Sequence, residues 1–107
     1  MPFHLCALLW AVPGREAELS AYEDTVLALL PRYGARVVSR VRQIGDQDGP
    51  LEVQVIELPD EAALEAYLAD PARVALAATH RAVIERTEVI RVSLVDAATP
   101  SGNSTRE

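Results

Sequence analysis

The sequence predicts an α+β domain of βαββαβ order, in which a four-stranded antiparallel sheet carries two helices on one face. Four runs show the length and apolar pattern of strands, and two longer regions show helical periodicity. Turn residues separate these regions, notably Pro13-Gly14, Tyr33-Gly34 and the segment 45–50. Since both helices would cover one face of the sheet, the other face needs a partner, and we expect a homodimer.

The predicted strands span residues 3–12, 35–44, 51–58 and 87–95. The first strand is apolar on both faces, as expected where neither face meets bulk water. Strict alternation places His4 and Trp10 on one face of it, and Arg40 with Arg42 on one face of the second strand. These mixed faces predict a cavity lined by first-strand and second-strand residues. If the parity is reversed, the lining residues are instead Phe3, Leu5, Val37, Ser39, Val41 and Arg91.

The first helical region spans residues 15–33 and ends near Pro31, with Gly34 as a left-handed C-terminal residue. Steps of three and four define its apolar face, whereas its acidic residues, including Glu23, are predicted to point elsewhere. The apolar residues are Leu19, Tyr22, Val26, Leu29, Leu30 and Tyr33.

The second helical region begins at an Asp60 N-cap and runs toward Thr79. Asp70-Pro71 should break it, because Asp70 can cap a new helix whose first residue is Pro71. We expect residues 1–96 to form one domain and residues 97–107, rich in small and polar residues, to form a flexible tail.

The composition of the chain argues against several classes of function. The net charge of −6 and the pI near 4.8 disfavour nucleic-acid binding, which needs a basic surface. A single cysteine, Cys6, permits no intrachain disulfide and indicates a reducing compartment. No signal peptide and no apolar run of membrane-spanning length is visible, so we expect a soluble cytoplasmic protein without a membrane partner.

Three segments carry a resemblance to a known family. They are residues 4–14 with an early His and a terminal Pro-Gly, residues 22–36 at the helix exit, and residues 56–71 from strand to second helix. Together with the element order, they resemble the dimeric α+β barrel superfamily, which includes antibiotic-biosynthesis monooxygenases and stress-responsive A/B-barrel proteins. The resemblance implies ferredoxin-like protomers that place their sheets face to face. The histidines that many monooxygenase-like members carry near the positions of Tyr67 and Arg73 are absent here.

Three residues are candidates for catalysis. His80 follows a helical stretch and has the intrinsic pKa of a general base, although a histidine at a helix end is also typical of a solvated cap. His4 shares its face with Trp10 and can line the cavity, or it can simply be a hydrogen-bonded residue of the strand. Tyr67 lies on an apolar helical stripe, which is equally typical of a core tyrosine.

Four residues are candidates for substrate binding. Trp10 and Tyr22 offer aromatic surface, and the alternative for Tyr22 is a place in the core. Arg40 and Arg42 share a face and can bind an anion bidentately, whereas the competing interpretation is a salt bridge with a glutamate across the sheet. For Cys6 the strand context favours an inert buried thiol over a nucleophile.

The motifs indicate no cofactor. Two histidines and one cysteine far apart do not form a zinc motif, and no glycine loop for phosphate is present. The sequence therefore predicts a small cofactor-independent enzyme that oxygenates, isomerises or cyclises a hydrophobic or aromatic, polyketide-like metabolite. The alternative is a non-catalytic ligand-binding or structural homodimer. An unpartnered His or Arg in the cavity favours the enzyme, and full hydrogen-bond satisfaction favours the alternative.

Overall fold

The structure, a computed structural model, describes residues 1–95; the predicted tail lies outside them. The elements follow the predicted order, with the second helical region divided into three pieces. They are β1 (Phe3–Ala11), α1 (Glu16–Leu27), a 3₁₀ turn (Leu30–Tyr33), β2 (Arg36–Arg42), β3 (Glu52–Leu58), α2 (Glu61–Leu68), α3 (Pro71–Val74), α4 (Ala77–Val83) and β4 (Ile84–Val92).

The strands form one antiparallel sheet in the order β2-β3-β1-β4. The central strand β1 places Leu5 between Ile56 of β3 and Arg91 of β4. The α+β prediction is confirmed, with two shifts in its bounds. Strand β4 begins three residues earlier than predicted, directly after α4, and α1 ends at Leu27, because the chain tightens into the 3₁₀ turn that contains Pro31.

The helices cover the face of the sheet that carries Leu5, Leu9, Ile56 and Leu58, all of which are buried. Two apolar clusters form this core. The first joins Leu5, Leu27, Leu29, Leu30, Ala35, Ile56, Leu58 and Tyr67, and the second joins Leu9, Leu19, Tyr22, Val26, Val83 and Ile84. The opposite face of the sheet, which we call the open face, carries no helix, and Val41 and Ile90 are more than half exposed there.

A bulge in β2 changes which of its residues face the helices. Val37 pairs with Ile56 and Ser39 pairs with Val55, so β2 has one extra residue at this point. Beyond the bulge, Arg40 and Arg42 pair with Gln54 and Glu52 and share the helix-covered face with Val37. The prediction that side chains alternate strictly between the two faces along β2 is therefore wrong.

The ends of the helices agree with the capping predictions. Gly34 follows the 3₁₀ turn with a φ of 71°. The Asp60 carboxylate accepts a hydrogen bond from the Ala63 amide, and the Asp70 carboxylate accepts one from the Ala72 amide. Asp70 is also buried and accepts hydrogen bonds from Tyr33 and Arg32, so it ties the helix break to the 3₁₀ turn.

We expect Asp70→Ala to destabilise the domain more than Asp60→Ala. The second substitution removes one exposed N-cap, which costs about 1 kcal/mol. The first removes a cap and also leaves the Tyr33 hydroxyl and the Arg32 guanidinium without their common acceptor. Urea unfolding of the two variants measures the difference. Equal losses would show that the contacts to Tyr33 and Arg32 add nothing.

Candidate functional site

A cavity of about 250 Å³ lies between the sheet and the helices, where the two core clusters meet. Its wall is mostly apolar, with a few polar side chains. The lining residues are Leu5, Ala7, Leu9, Glu23, Val26, Leu27, Gln54, Ile56, Leu64, Tyr67, Leu68, Arg73, His80, Thr87 and Val89. An apolar enclosure with a few convergent polar groups is typical of a small-molecule site.

Glu23 brings a carboxyl group from α1 into this wall, and only 6% of the residue is exposed. Burial raises the pKa of Glu23, because a charged carboxylate loses its water there. The Gln54 amide opposes this effect by donating a hydrogen bond of 3.0 Å to Glu23 Oε1. Glu23 is therefore a carboxyl group that gains a proton more readily than a solvated glutamate.

Arg73 brings a positive charge from α3 to the cavity. Its guanidinium carbon lies 5.0 Å from the centroid of the Tyr67 ring, a cation–π distance. Its Nε atom is buried and has no hydrogen-bond partner within residues 1–95. A buried unsatisfied donor is costly, so this group is poised to donate to a bound oxygen atom.

His80 reaches the cavity from α4. Burial lowers the pKa of His80, and the positive charges of Arg73 and Arg81 lower it further. The imidazole is therefore neutral at pH 7 and can accept a proton. Its ring packs edge-on against Tyr22, with the ring centroids 5.6 Å apart, and the residue is partly exposed.

The two candidate tyrosines have different surroundings. Tyr67 lines the cavity, but its hydroxyl donates to the Val26 carbonyl at 3.1 Å, so its proton is already engaged. Burial raises the pKa of Tyr67, which keeps the phenol neutral. Tyr22 is buried in the core beside His80 and also lines a second pocket, described below.

Arg40 and Arg42 form the salt-bridge arrangement that the sequence offered as an alternative. Both contact the fully buried carboxylate of Glu52, Arg40 Nε at 2.7 Å and Arg42 at 3.3 Å. Arg40 also pairs with Asp24 of α1 at 2.6 Å. Neither arginine lines the cavity within the described residues.

Glu52 is the centre of this ionic cluster. Burial by itself would raise the pKa of Glu52, but hydrogen bonds from Arg40, Ser20 and Gln54 outweigh burial and lower it to about 2. The Ser20 hydroxyl donates to Glu52 Oε2 at 2.7 Å and the Gln54 amide donates to Oε1 at 3.1 Å. Gln54 thus connects the ionic cluster to Glu23 in the cavity wall.

His4 and Trp10 lie on the open face, on the opposite side of the sheet from His80. His4 Nε2 lies 3.1 Å from Glu57 Oε1, and the Arg86 guanidinium covers the Trp10 ring at 4.4 Å from its centroid. His4 and Trp10 face away from the helices, as the parity assignment predicts, and their place in a cavity between two protomers stays a prediction. Their expected grouping with Arg40 and Arg42 is wrong, because the bulge places these arginines in the ionic cluster on the other side of the sheet.

Sequence reasoning missed Glu23, Gln54 and Arg73. A signal for Glu23 was present, because it lies four residues after Leu19 and three before Val26, on the buried stripe of α1. Gln54 shares strand parity with Ile56, so its burial also follows from the pattern. No local pattern marks Arg73, whose position depends on the break before α3.

Within residues 1–95, no group of three or more His, Cys, Asp or Glu side chains is arranged to hold a metal ion. In the same part of the chain, no helix combines the length and the apolar character required to cross a membrane.

Comparison with known proteins supports the fold. No protein-family model and no curated protein matches the sequence, but solved structures do match. A dimeric protein of unknown function from Bacteroides fragilis has 13% identity and a TM-score of 0.67 over 87% of this chain and 96% of its own. It has a ferredoxin-like fold. The fold of this chain is ferredoxin-like.

Two further solved structures are similar to this chain. A ferredoxin-like protein of the dabb family from Mesorhizobium loti has 17% identity and a TM-score of 0.60, covering 88% of this chain and 97% of its own. SnoaB, a cofactor-independent oxygenase from Streptomyces nogalater, has 15% identity and a TM-score of 0.65, covering 90% and 97%. At these identities the likeness establishes the ferredoxin-like fold alone.

We expect Glu52→Gln to destabilise the domain by about 2–3 kcal/mol at pH 7. Breaking a buried ion pair costs about 3–5 kcal/mol. The expected loss is smaller here, because Arg40 keeps its salt bridge to Asp24 and is partly exposed to solvent. Because the folded-state pKa of about 2 lies below the ordinary 4.5, folding favours the ionised form. This contribution is complete above about pH 5 and is lost as the pH falls toward 2.

Urea unfolding of both proteins between pH 7 and pH 3 measures these effects. The wild type should lose stability on acidification more steeply than Glu52→Gln. Glu18→Gln, which removes an exposed pair with Arg15, is the matched control and should differ little from wild type. Parallel pH profiles for wild type and Glu52→Gln would contradict the assignment.

Proposed function

We propose that the protein is a small cofactor-independent enzyme that moves a proton on an apolar or aromatic carbonyl compound bound between the sheet and the helices. The observation that carries this proposal is the buried Nε of Arg73, which has no acceptor within residues 1–95 and lies in the same apolar cavity as the His80 imidazole. A cavity that served only packing would satisfy or omit a buried donor of this kind.

The chemistry of the wall matches proton abstraction beside a carbonyl group. Neutral His80 accepts the proton, and the negative charge that develops on the carbonyl oxygen is stabilised by the Arg73 guanidinium. The apolar surroundings exclude water, which strengthens this attraction. The resulting enolate is a common first intermediate of isomerisation, cyclisation and reaction with dioxygen.

Glu23 is suited to return a proton, because burial raises its pKa. A protonated Glu23 would donate its proton at a second position of the substrate, and transfer of the abstracted proton from His80 to Glu23 through water would restore both groups. Gln54 fixes the Glu23 carboxyl by its hydrogen bond and acts as a positioning residue.

The cavity volume limits the substrate. Pockets for drug-sized ligands measure about 300–1,000 Å³, and this one measures about 250 Å³. One or two fused rings fit this space, so we favour a compact aromatic metabolite over a large polycyclic one. SnoaB, a cofactor-independent oxygenase of the same fold, supports the reaction class and not a particular substrate.

The second candidate function is binding without turnover. The protein would then hold an apolar ligand, with Arg73 providing one polar anchor. The lowered pKa of His80 favours the enzyme, because a neutral imidazole without a partner adds little to binding but suits proton transfer.

We expect His80→Gln to abolish proton exchange while leaving ligand binding in place. The probe is indanone, an enolisable bicyclic ketone, whose exchange in heavy water is followed by proton NMR. The variant should lose at least about 100-fold in rate, the lower range for a general base. In the wild type, the rate should fall on acidification with an apparent pKa below 6.5, because protonation removes the base.

His4→Gln is the matched control. Its imidazole lies on the other side of the sheet, so exchange should continue at the wild-type rate. If the wild type binds indanone but exchanges no faster than buffer, the binding function replaces the enzyme. Loss of exchange in both variants would contradict the placement of the base.

We also infer that two copies associate through their open faces to form the α+β barrel. This face exposes Val41 and Ile90, and Trp10, Val53 and Val55 are only partly covered. A contiguous apolar surface of this kind marks an interaction site in a protein that otherwise covers its core. The dimeric ferredoxin-like protein from Bacteroides fragilis supports a second copy as the partner.

We expect Val41→Glu and Ile90→Glu to produce monomers at micromolar concentration, because each would place a charge on the proposed apolar interface. Light scattering coupled to gel filtration measures the mass. Ile44→Glu is the control, since Ile44 is an exposed aliphatic residue that lies in the loop after β2. A monomeric wild type would overturn the homodimer.

A further inference from the structure

A second pocket adjoins the cavity on its helical side. It measures about 280 Å³ and lies between α1 and the segment of α3 and α4. Its lining residues are Tyr22, Arg73, Val74, Ala77, His80 and Arg81. Arg73 and His80 line both spaces, so one molecule can contact the general base from the cavity and extend into this second pocket.

The charge of the second pocket is opposite to that of the protein. The chain has a net charge of −6, yet this pocket is lined by two arginines and a histidine without a carboxylate. Glu23 of the facing helix α1 lines the adjoining cavity and interacts electrostatically with Arg73 without forming an ion pair with it. An anion entering from solvent therefore meets a local positive field.

Arg73 and Arg81 also differ from the other arginines of residues 1–95 in having no carboxylate within ion-pair distance. Each of the others forms a salt bridge: Arg15, Arg32, Arg36, Arg40, Arg42, Arg86 and Arg91. In an acidic protein, arginines find partners readily. Two that remain unpaired in the same pocket, one with a buried and unsatisfied Nε, indicate a site for an external anion.

We propose that Arg73 and Arg81 form an anion-binding pocket that selects substrates bearing a carboxylate, with the apolar ring of the same molecule in the cavity. The planar guanidinium groups match a carboxylate geometrically and donate charge-assisted hydrogen bonds to it. Tyr22, Val74 and Ala77 give the pocket apolar walls beside these charged groups. This inference rests on the proposed function for the use of the cavity, and it adds the substrate class: small aromatic carboxylates.

The test compares naphthoate with naphthamide, which have nearly the same shape and differ in charge. Isothermal titration calorimetry measures both affinities at low salt and at about 0.5 M salt. We expect wild type to bind naphthoate at least ten-fold more tightly, with the preference reduced at high salt. Naphthyl phosphate is included, and tighter binding of this compound than of naphthoate would overturn the carboxylate class in favour of phosphate.

Arg73→Gln should abolish the ten-fold preference for naphthoate over naphthamide, and Arg81→Gln should reduce it. The affinity for naphthamide should be nearly unchanged in Arg81→Gln. Arg81 is exposed, so this variant should fold even if Arg73→Gln does not. Arg15→Gln, which removes an arginine paired on the surface, is the matched control and should keep the preference.

Equal affinity for naphthoate and naphthamide in wild type would overturn the anion pocket. A preference for naphthoate that survives both Arg73→Gln and Arg81→Gln would overturn it too. Absence of binding by either compound would overturn it as well. Exchange of neutral indanone depends on His80 and needs no anion. The proposed function can therefore stand while the carboxylate preference fails, and the two results remain distinguishable.

Discussion

The buried carboxylate of Glu52 connects α1 to the sheet and thereby fixes one wall of the cavity. It accepts hydrogen bonds from Arg40 on β2, Gln54 on its own strand and Ser20 on α1. A carboxylate without exposed surface is stable only when its acceptor positions are filled in this way. Because Gln54 also donates to Glu23, the same group that anchors the helix determines where the cavity carboxyl lies.

The central strand β1 separates two different environments. Leu5, Ala7 and Leu9 line the cavity, whereas the alternate residues lie on the open face. This explains why the strand is apolar on both faces, a pattern that predicted two covered surfaces. A cavity between the sheets of two protomers stays a prediction. The described cavity lies within one protomer, between its sheet and its helices.

Much of the fold follows from local patterns. The order of elements, the N-caps at Asp60 and Asp70 and the helix break depend on residues close in sequence, and these predictions are confirmed. The β2 bulge depends on how β3 pairs with its neighbour, which no alternation in the sequence reveals. One extra residue in the pairing is enough to place Arg40 on the helical side with Glu52 instead of on the face that carries Arg36.

The site was harder to predict than the fold because its residues come from separate elements. Of the candidates, His80 and Tyr67 reach the cavity, and Tyr22 contacts His80 from the side of the second pocket. Tyr67 is held by the Val26 carbonyl, which the helical stripe alone did not indicate. Glu23 is predicted to point away from the apolar face of α1, yet its spacing from Leu19 and Val26 places it on the buried stripe of that helix.

The unpaired arginines affect the base as well as the ligand. Arg73 and Arg81 lower the pKa of His80, since each disfavours a second positive charge nearby. A carboxylate bound between these arginines would neutralise part of that field and raise the proton affinity of the imidazole. The imidazole would then be a weaker base in the empty pocket than with an anionic substrate bound. The same neutralisation would reduce the attraction of Arg73 for the developing enolate, so the carboxylate would act through the position of the substrate and through the base and not through the enolate charge.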